Sequence, residues 1–347
     1  HLLKAGYQLA VYDIEPAAVH ALTQQGATSA NSPAEVADQA DIIISMIPAD
    51  AALEAVATGP QGIFQSARQN LIYIDMSTVS PAASGRIGTA AEKRGALYLR
   101  APVSGSTESA VTAALTILVS GPEDAFDQCR GIFEKLGRKV FYVGPGDQAR
   151  YLKLLVNIMV GITSAMTAEA LTFGKRGGID WDQMIDIINN SVVASPLIGF
   201  KVQLLKERRY APMFTATQMA KDFDLALDTG RNMDIPMPLT ALTRQLYGAM
   251  KATGKGELDY FGLVALIDPN FCSRCGVCVS VCPYSAPKFN EKTAKAEIQP
   301  TLCKGCGLCA ASCRSGAIHL KGFDTGQVMA QIQSCLAEEA PFEATFS

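Results

Sequence analysis

Two runs of four cysteines near the end of this 347-residue chain constrain its folding more than any other feature. Each run has the spacing Cys-x2-Cys-x2-Cys-x3-Cys, and the two runs span 272–282 and 303–313. Eight of the ten cysteines lie in these runs, while the first 271 residues contain only Cys129. Disulfide frameworks are typical of small secreted domains, so this clustered distribution favours metal-binding thiolates in a reducing compartment.

This spacing binds [4Fe–4S] clusters in pairs, because three thiolates of a run hold one cluster and the fourth reaches across to the other. We therefore expect two [4Fe–4S] clusters. The first is assigned to Cys272, Cys275, Cys278 and Cys313, and the second to Cys303, Cys306, Cys309 and Cys282. Structural zinc on paired Cys-x2-Cys knuckles is the alternative, but two complete copies of the run favour iron.

Residues around the second run resemble a known electron-transfer module. The segments 304–307 (Lys-Gly-Cys-Gly), 315–318 (Ser-Gly-Ala-Ile) and 322–323 (Gly-Phe) are similar to the C-terminal ferredoxin module of heterodisulfide reductase A subunits. The resemblance implies an electron relay beside a flavoprotein or a heterodisulfide-reductase-like partner. Arg314 stands where Pro usually follows the last cysteine, and ligation should survive because that Pro donates no ligand. Cys335 is expected to be a buried helix thiol.

Before the cysteine runs, short apolar segments alternate with longer amphipathic ones. Strands are predicted at 8–12, 41–47, 71–75, 97–100, 114–119 and 139–143, with helices at 17–25, 51–57 and 81–94. Short buried strands that alternate with helices are typical of an α/β, Rossmann-like doubly wound sheet. From residue 147 the pattern becomes helical and begins with a long helix over 148–176.

Four units are predicted along the chain. They are a Rossmann-like domain (1–146), an all-α domain (147–267), a small α+β ferredoxin domain (268–325) and a C-terminal helix and tail (326–347). The longest apolar stretch, 152–166, contains Lys153 and Asn157 and is shorter than the about 20 residues of a membrane span, so it is interpreted as a buried helix. The net charge of −3 argues against nucleic acid and anionic membranes as partners. We expect a cytoplasmic protein.

Five segments of residues 1–267 resemble, in order, the motifs of β-hydroxyacid dehydrogenases, the group of 3-hydroxyisobutyrate dehydrogenase and tartronate semialdehyde reductase. They are Val-Tyr-Asp (11–13), Ile-Asp-Met-Ser-Thr-Val-Ser-Pro (74–81), Ala-Pro-Val-Ser-Gly (101–105), Lys153-x3-Asn157 and Lys221-Asp222. The resemblance implies an NAD(P)-dependent oxidoreductase of small β-hydroxyacids or their semialdehydes, and a homo-oligomer. Arg100 and Ser106 depart from the usual motif, and Val-Ser-Gly-Ser is closer to the glyoxylate/succinic semialdehyde reductase branch, so the substrate stays open.

Several residues are predicted to bind the dinucleotide. Asp13 ends a strand, where a carboxylate accepts hydrogen bonds from a ribose diol and repels a 2′-phosphate, which favours NAD over NADP; an ordinary strand-end Asp is the alternative. Ser77 and Thr78 follow another strand at the edge where open α/β sheets bind ligands, or they cap the next helix. Lys221 and Asp222 match a pair near the nicotinamide in the family, with a surface ion pair as the alternative.

The catalytic pair is predicted to be Lys153 and Asn157, which lie on one helix face at positions i and i+4. Apolar neighbours should desolvate Lys153 and lower its pKa toward a range useful for proton transfer. The resemblance assigns it the alcohol proton, and a solvated surface lysine is the alternative. Ser104 and Gly105 are implied to hold the substrate carboxylate, whereas the residues alone favour a simple turn.

The glycine-rich turn that cradles a dinucleotide pyrophosphate is absent from this sequence, which begins inside the helix that follows such a turn in the family. We therefore expect the sequence to be truncated and to bind dinucleotide weakly. A competing hypothesis is an electron-transfer subunit whose dehydrogenase-like body is an inactive docking or dimerising domain.

Overall fold

The computed structural model describes residues 1–267, 276–290, 295–313 and 318. A 3-10 helix at Leu3–Ala5 ends at Gly6, whose φ of +88° provides the glycine stop that the sequence predicts. The first unit then contains β1 (Ala10–Val11), α1 (Pro16–Thr23), β2 (Thr28–Ser29), α2 (Pro33–Gln39), β3 (Ile42–Ser45), α3 (Asp50–Thr58), α4 (Ile63–Ser66), β4 (Ile72–Asp75), α5 (Pro81–Lys93), β5 (Leu97–Arg100), β6 (Val103–Ser104), α6 (Thr107–Val111), β7 (Leu115–Val119), α7 (Glu123–Leu136) and β8 (Gly137–Tyr142).

The predicted parallel, doubly wound arrangement is confirmed, except that the described strands are not hydrogen-bonded into one continuous sheet. Strands β3, β4 and β5 pair in parallel, as do β7 with β8 and β1 with β2, while β6 runs antiparallel to β7. In the described residues these strands form three hydrogen-bonded groups instead of one sheet. An antiparallel bridge between Arg100 and Ser120 connects β5 to the end of β7.

Helices cover both faces of the central strands, so β4 is buried along its whole length. Tyr73 packs into one core with side chains from α3, α4 and α5, whereas Ile72 and Ile74 pack into a second core with α7. This alternation follows from the two-residue period of a strand. The carboxyl ends of β3 and β4 are therefore left at one edge, next to the loops that follow them.

The second unit is all helical, as predicted. Its helices are α8 (Gln148–Arg176), α9 (Trp181–Asn189), α10 (Pro196–Glu207), α11 (Ala216–Asn232), α12 (Pro238–Ala252) and α13 (Val264–Ile267), with a 3-10 turn at Tyr260–Leu263. By length and composition alone α8 could cross a membrane. Its contacts with α9, α11, α12 and α13 bury one side of the helix, in partial agreement with the predicted buried helix, while Met159 and Phe173 on another face are exposed.

Helices α8 and α11 approach closely at Gly161. A Cβ atom on Gly161 would lie 2.5 Å from Cε2 of Phe223, so a larger residue would displace the Phe223 ring that packs between the two helices. Thr215 begins α11 with a capping box, in which its hydroxyl and the Gln218 side chain satisfy reciprocal backbone donors. Residues of α8 and α11 near this crossing are therefore in close contact.

The cysteine-rich region contains α14 (Val277–Val281), β9 (Pro287–Asn290), β10 (Lys295–Ile298) and α15 (Leu308–Ala311). The two strands form an antiparallel hairpin, and the two short helices pack against each other. This agrees with the predicted small α+β domain. The predictions for Cys272, Cys275, Arg314, Cys335 and the helix at 326–347 lie outside the described residues.

Candidate functional site

Lys153 lies where α8 faces α11. Its Nζ donates a hydrogen bond of 3.2 Å to Oδ1 of Asn157, one helical turn further along α8. The Nδ2 of Asn157 donates in turn to Oδ2 of Asp222 on α11, at 2.5 Å. Asn157 and Asp222 are buried and Lys153 is half-buried, so the structure argues against a solvated surface lysine.

The pKa of Lys153 is lowered from its ordinary value, as expected from the sequence. Desolvation by the surrounding helices is the main cause, because burial disfavours the charged amine. The Asp222 carboxylate acts in the opposite direction and raises this pKa, while the positive charge of Lys221 lowers it further. The arrangement increases the fraction of neutral amine near neutral pH, which is the form that can accept a proton.

Lys221 joins the helical unit to the carboxyl edge of the parallel strands. Its Nζ donates to the carbonyl of Thr78 at 2.9 Å and to the carbonyl of Pro48 at 3.1 Å, in the loops after β4 and β3. It also lies 3.1 Å from Oδ1 of Asp222. Asp222 is only 1% exposed, so the alternative of a surface ion pair is wrong for this residue. Crevices outside such strand ends are where open α/β sheets bind ligands.

Ser77 occupies a structural position beside this crevice. Its hydroxyl donates to Oδ1 of Asp75 at 2.5 Å and accepts from the backbone N–H of Ile47 at 2.8 Å. Ser80, not Ser77 or Thr78, caps α5, so the alternative helix-capping role predicted for those two residues is wrong. Direct contact of Ser77 and Thr78 with a dinucleotide stays a prediction.

A buried ion pair that sequence reasoning missed lies beneath the Ser77 loop. Arg150, in the first turn of α8, donates to Oδ2 of Asp75 at 2.5 Å, to the hydroxyl of Tyr98 at 2.9 Å and to the carbonyl of Ser77 at 2.7 Å. Both charged groups are at most 1% exposed. The available signal was the charged Asp75 at the end of the apolar segment 71–75, because charges are rarely buried unless paired.

Arg100, which departs from the usual motif of the β-hydroxyacid dehydrogenases, is explained by its contacts in the structure. Its Nε donates to Oδ1 of Asp147 at 2.8 Å, and its guanidinium lies 4.5 Å from the centre of the Tyr98 ring. Asp147 stands directly before α8, so the pair fixes the end of β5 against the start of that helix. A carboxylate at position 100 would face Asp147 with like charge.

Asp13 lies two residues beyond β1 and is exposed. Its Oδ1 accepts a hydrogen bond of 2.9 Å from the backbone N–H of Glu15, in the turn that leads to α1. The side chain is therefore oriented by its own turn. None of the hydrogen bonds around Lys153 in the described residues extends to Asp13, and its role in dinucleotide binding stays a prediction.

Ser104 and Gly105 form the end of β6 and the turn that follows it. Gly105 has φ +143°, and a Cβ there would lie 2.9 Å from Cβ of Ser109, so this turn requires glycine. Ser106 then caps α6. The structure supports the turn, and no hydrogen bond in the described part of the chain joins either residue to Lys153.

The two cysteine runs have the same local backbone around their short helices. Gly276 precedes α14 with φ +78°, and Gly307 precedes α15 with φ +77°. Both glycines follow the second cysteine of their run. Glycine adopts this left-handed conformation readily. The close approach of the backbone to a cluster at these positions stays a prediction.

Three thiols of the second predicted quartet lie close enough to influence each other. The pKa of Cys309 is raised first by burial and also by neighbouring Cys282 and Cys303. Among the described residues, no group of three or more His, Cys, Asp or Glu side chains is arranged so that it could hold a metal ion. The soft thiolate donors and the repeated glycine turns nevertheless fit an iron–sulfur cluster, whose binding would offset the repulsion between thiolates.

Three family models together match nearly the whole chain. The NAD binding domain of 6-phosphogluconate dehydrogenase matches residues 1–144, and the NAD-binding domain of NADP-dependent 3-hydroxyisobutyrate dehydrogenase matches residues 147–267. A 4Fe-4S dicluster domain matches residues 265–329. The predicted combination of a dehydrogenase body with an iron–sulfur module is thus confirmed, while the resemblance to heterodisulfide reductase stays a prediction.

Among similar proteins, a probable mitochondrial 3-hydroxyisobutyrate dehydrogenase of Dictyostelium discoideum is 32% identical over 78% of this chain and 87% of its own length. An NAD-dependent L-serine dehydrogenase of Pseudomonas aeruginosa is 32% identical over 78% of this chain and 93% of its own length. A solved 3-hydroxyisobutyrate dehydrogenase of Mycobacterium tuberculosis with L-serine superposes with a TM-score of 0.71 at 24% identity, covering 76% of this chain and 91% of that one. This structure shows a shared fold.

Proposed function

The chain belongs to the 3-hydroxyisobutyrate dehydrogenase family, and from that premise we propose that it oxidises a primary alcohol placed β to a carboxylate, forming the semialdehyde. It is an NAD(P)-dependent oxidoreductase acting on CH–OH groups, and it carries a 4Fe–4S domain. Relatives are named for 3-hydroxyisobutyrate, L-serine and 2-(hydroxymethyl)glutarate. These molecules share a hydroxymethyl group on the carbon that bears the carboxylate, which supports this substrate class.

The observation that carries the proposal is the half-buried Lys153, held by Asn157 opposite the Lys221 that reaches the strand ends. A bound nicotinamide supplies the hydride acceptor. The neutral Nζ of Lys153 accepts the hydroxyl proton as the alcohol carbon loses its hydride, so two electrons leave with the hydride and the proton stays on the lysine. The lowered pKa of Lys153 favours the neutral amine that this step requires.

We assign the adenosine ribose to Asp13 and the nicotinamide end to Thr78 and Lys221. The exposed Asp13 carboxylate is oriented by its turn and keeps one oxygen for the ribose diol. A 2′-phosphate there would meet like charge, so NAD is the proposed cofactor over NADP. Ser104 and the backbone of Gly105 are proposed to bind the substrate carboxylate.

The cysteine quartets are proposed to hold two [4Fe–4S] clusters that move electrons singly. Hydride transfer moves two electrons together, so direct exchange with a cluster requires an intermediate such as a flavin. We propose that a partner flavoprotein couples the two functions in the cytoplasm. The intact contacts of Lys153, Asn157 and Asp222 favour an active dehydrogenase over the inactive docking body.

Association of identical subunits is supported by one face of α8. Large apolar side chains at helical spacing are exposed there, with exposed fractions from 43% to 83%: Tyr151, Leu155, Met159, Met166 and Phe173. Large apolar side chains exposed on one helix face are typical of an interaction surface. We propose that it is covered in a homo-oligomer.

The test is a substrate panel with the full-length protein and either NAD or NADP. We expect NAD-dependent oxidation of 3-hydroxyisobutyrate, glycerate or L-serine, with 4-hydroxybutyrate poorer because its hydroxyl lies one carbon further away. The amide of the best substrate should lose roughly 10- to 100-fold in kcat/KM, the equivalent of one hydrogen bond to a charged group. Equal turnover of acid and amide would contradict the proposed carboxylate recognition.

The same panel tests the role of Lys153. Lys153→Ala should abolish turnover of every substrate, because proton transfer by a positioned group contributes about 10²–10⁴-fold. A matched control is Lys206→Ala, which removes an amine of α10 that pairs with Asp186. The control should keep its activity, and activity that survives Lys153→Ala would defeat the mechanism.

A further inference from the structure

Asp222 is a buried carboxylate whose hydrogen bonding is incomplete. Its Oδ2 accepts from Nδ2 of Asn157 at 2.5 Å, whereas Oδ1 has no hydrogen-bond partner although Lys221 Nζ lies 3.1 Å away. The contact with Lys221 is thus an ion pair without hydrogen-bond alignment. A buried carboxylate oxygen left in this state costs free energy, and such exceptions in native proteins call for a functional explanation.

The carboxylate determines which way the Asn157 amide points. An ionised carboxylate only accepts hydrogen bonds, so Asn157 must present its NH2 group to Asp222. Its carbonyl oxygen then faces Lys153, where it accepts from Nζ. In the opposite orientation the NH2 group would face an amine and the amide oxygen would face a carboxylate oxygen, and both contacts would be repulsive or weak.

We propose that Asp222 is a positioning residue that acts through Asn157 to hold the Lys153 amine in the orientation required for accepting the substrate proton. The inference rests on the proposed function and goes beyond it, since it gives Asp222 a place in the proton-transfer geometry instead of in dinucleotide binding. Its near-complete burial is consistent with action through a neighbour. Asn157 is the only link between the two groups that the described hydrogen bonds contain.

The effect of Asp222 on Lys153 can be measured through the pKa of Lys153, which depends on the charges around it. On α11, Asp222 raises the pKa of Lys153 and Lys221 lowers it, after the larger lowering by burial. Nearby arginines are paired with other carboxylates: Arg150 with Asp75, Arg100 with Asp147 and Arg244 with Asp224. Among the described residues, Asp222 is the one carboxylate that acts on the pKa of Lys153, so its removal should shift the titration of this lysine.

The experiment compares Asp222→Asn with a swap that combines Asn157→Asp and Asp222→Asn. In the single variant the amide loses its fixed orientation and Lys153 loses the charge that raises its pKa. In the swap the hydrogen bond between positions 157 and 222 is restored with donor and acceptor reversed, and a carboxylate now faces Lys153 directly. Asp228→Asn, which removes an exposed carboxylate of the same helix paired with Arg231, is the matched control.

Alcohol oxidation should rise with pH as Lys153 loses its proton. We expect the rising limb of the plot of kcat against pH to move to lower pH in Asp222→Asn. It should move to higher pH in the double variant that swaps Asn157 and Asp222, and it should not move in Asp228→Asn. Misplacement of the amine should also reduce kcat of Asp222→Asn by about 10²-fold, with a smaller change in KM. A purely structural role would lower the thermal midpoint but would not move the limb in opposite directions.

The outcomes separate this inference from the proposed function. If Lys153→Ala is inactive while the limb stays in place in both Asp222 variants, the dehydrogenase mechanism stands and the positioning role is overturned. If the unmodified protein oxidises no substrate of the panel, the proposed function itself fails, and if Lys153→Ala is active, the proposed role of Lys153 fails. Should Asp222→Asn not fold, the swap alone decides, because an unshifted limb in a folded swap variant also overturns the role.

Discussion

The buried pair of Arg150 and Asp75 should be essential for stability, and Arg150→Met tests this. Arg150 makes four hydrogen bonds, to Asp75, Tyr98, Ser77 and Ser84. After the substitution Oδ2 of Asp75 keeps only the 3.4 Å contact with the Tyr98 hydroxyl, in a site with no exposure. Removing one partner of a buried ion pair costs about 3–5 kcal/mol, because the remaining charge is left uncompensated.

The free energy of unfolding would be measured by urea titration, with two probes. Trp181 is the single tryptophan and reports the helical unit, while far-UV circular dichroism reports the whole chain. Coincident transitions would justify one free energy for both units. The matched control is Arg231→Met, which breaks an exposed pair with Asp228 and should cost less than about 1 kcal/mol.

A double variant separates the ion pair from simple packing. Arg150→Met combined with Asp75→Leu removes both charges and keeps apolar volume, which in buried pairs is often neutral or stabilising. We therefore expect the double variant to be more stable than Arg150→Met alone. The reasoning is refuted if Arg150→Met costs no more than the exposed control, or if Asp75→Leu adds to the loss.

Three further results are expected. Lys201→Met should destabilise the helical unit by about 3–5 kcal/mol, because both oxygens of the fully buried Asp259 accept from Lys201 at 2.8 Å; an unchanged Trp181 unfolding transition would contradict this. Cys282→Ala should lower the iron content from about eight to about four per chain, since it removes one ligand of a four-iron cluster, whereas Cys129→Ala should leave it unchanged. Asp13→Ser should increase the ratio of kcat/KM with NADP to that with NAD, because the charge that repels a 2′-phosphate is removed; an unchanged ratio would show that the ribose binds elsewhere.

The local sequence pattern predicts those helices and strands whose structure is determined by their own residues. The sequence predicts the long helix at 148–176, which the structure has as Gln148–Arg176, and the strand at 97–100, which is β5. Helix α7 was not predicted, although Pro122 is followed by two acidic residues in its first turn. The weak signals of two-residue strands such as β2 and β6 were also missed, because their pairing depends on partners distant in sequence.

The site shows the same division between local and distant contacts. Lys153 and Asn157 were paired correctly from their helical spacing, since both positions lie on one helix. The contact of Asn157 with Asp222 joins residues 65 positions apart, and that of Arg150 with Asp75 joins residues 75 positions apart. No spacing rule connects such pairs, so they require the packed arrangement of α8 against α11 and β4.

Chemical rescue tests the role of Lys153 most directly. Lys153→Ala in the full-length protein would be assayed for alcohol oxidation with increasing concentrations of methylamine at a pH where part of that amine is neutral. We predict turnover that rises with the concentration of neutral amine, because the small base occupies the space of the missing side chain and accepts the proton. Full activity of Lys153→Ala without added amine would contradict the account.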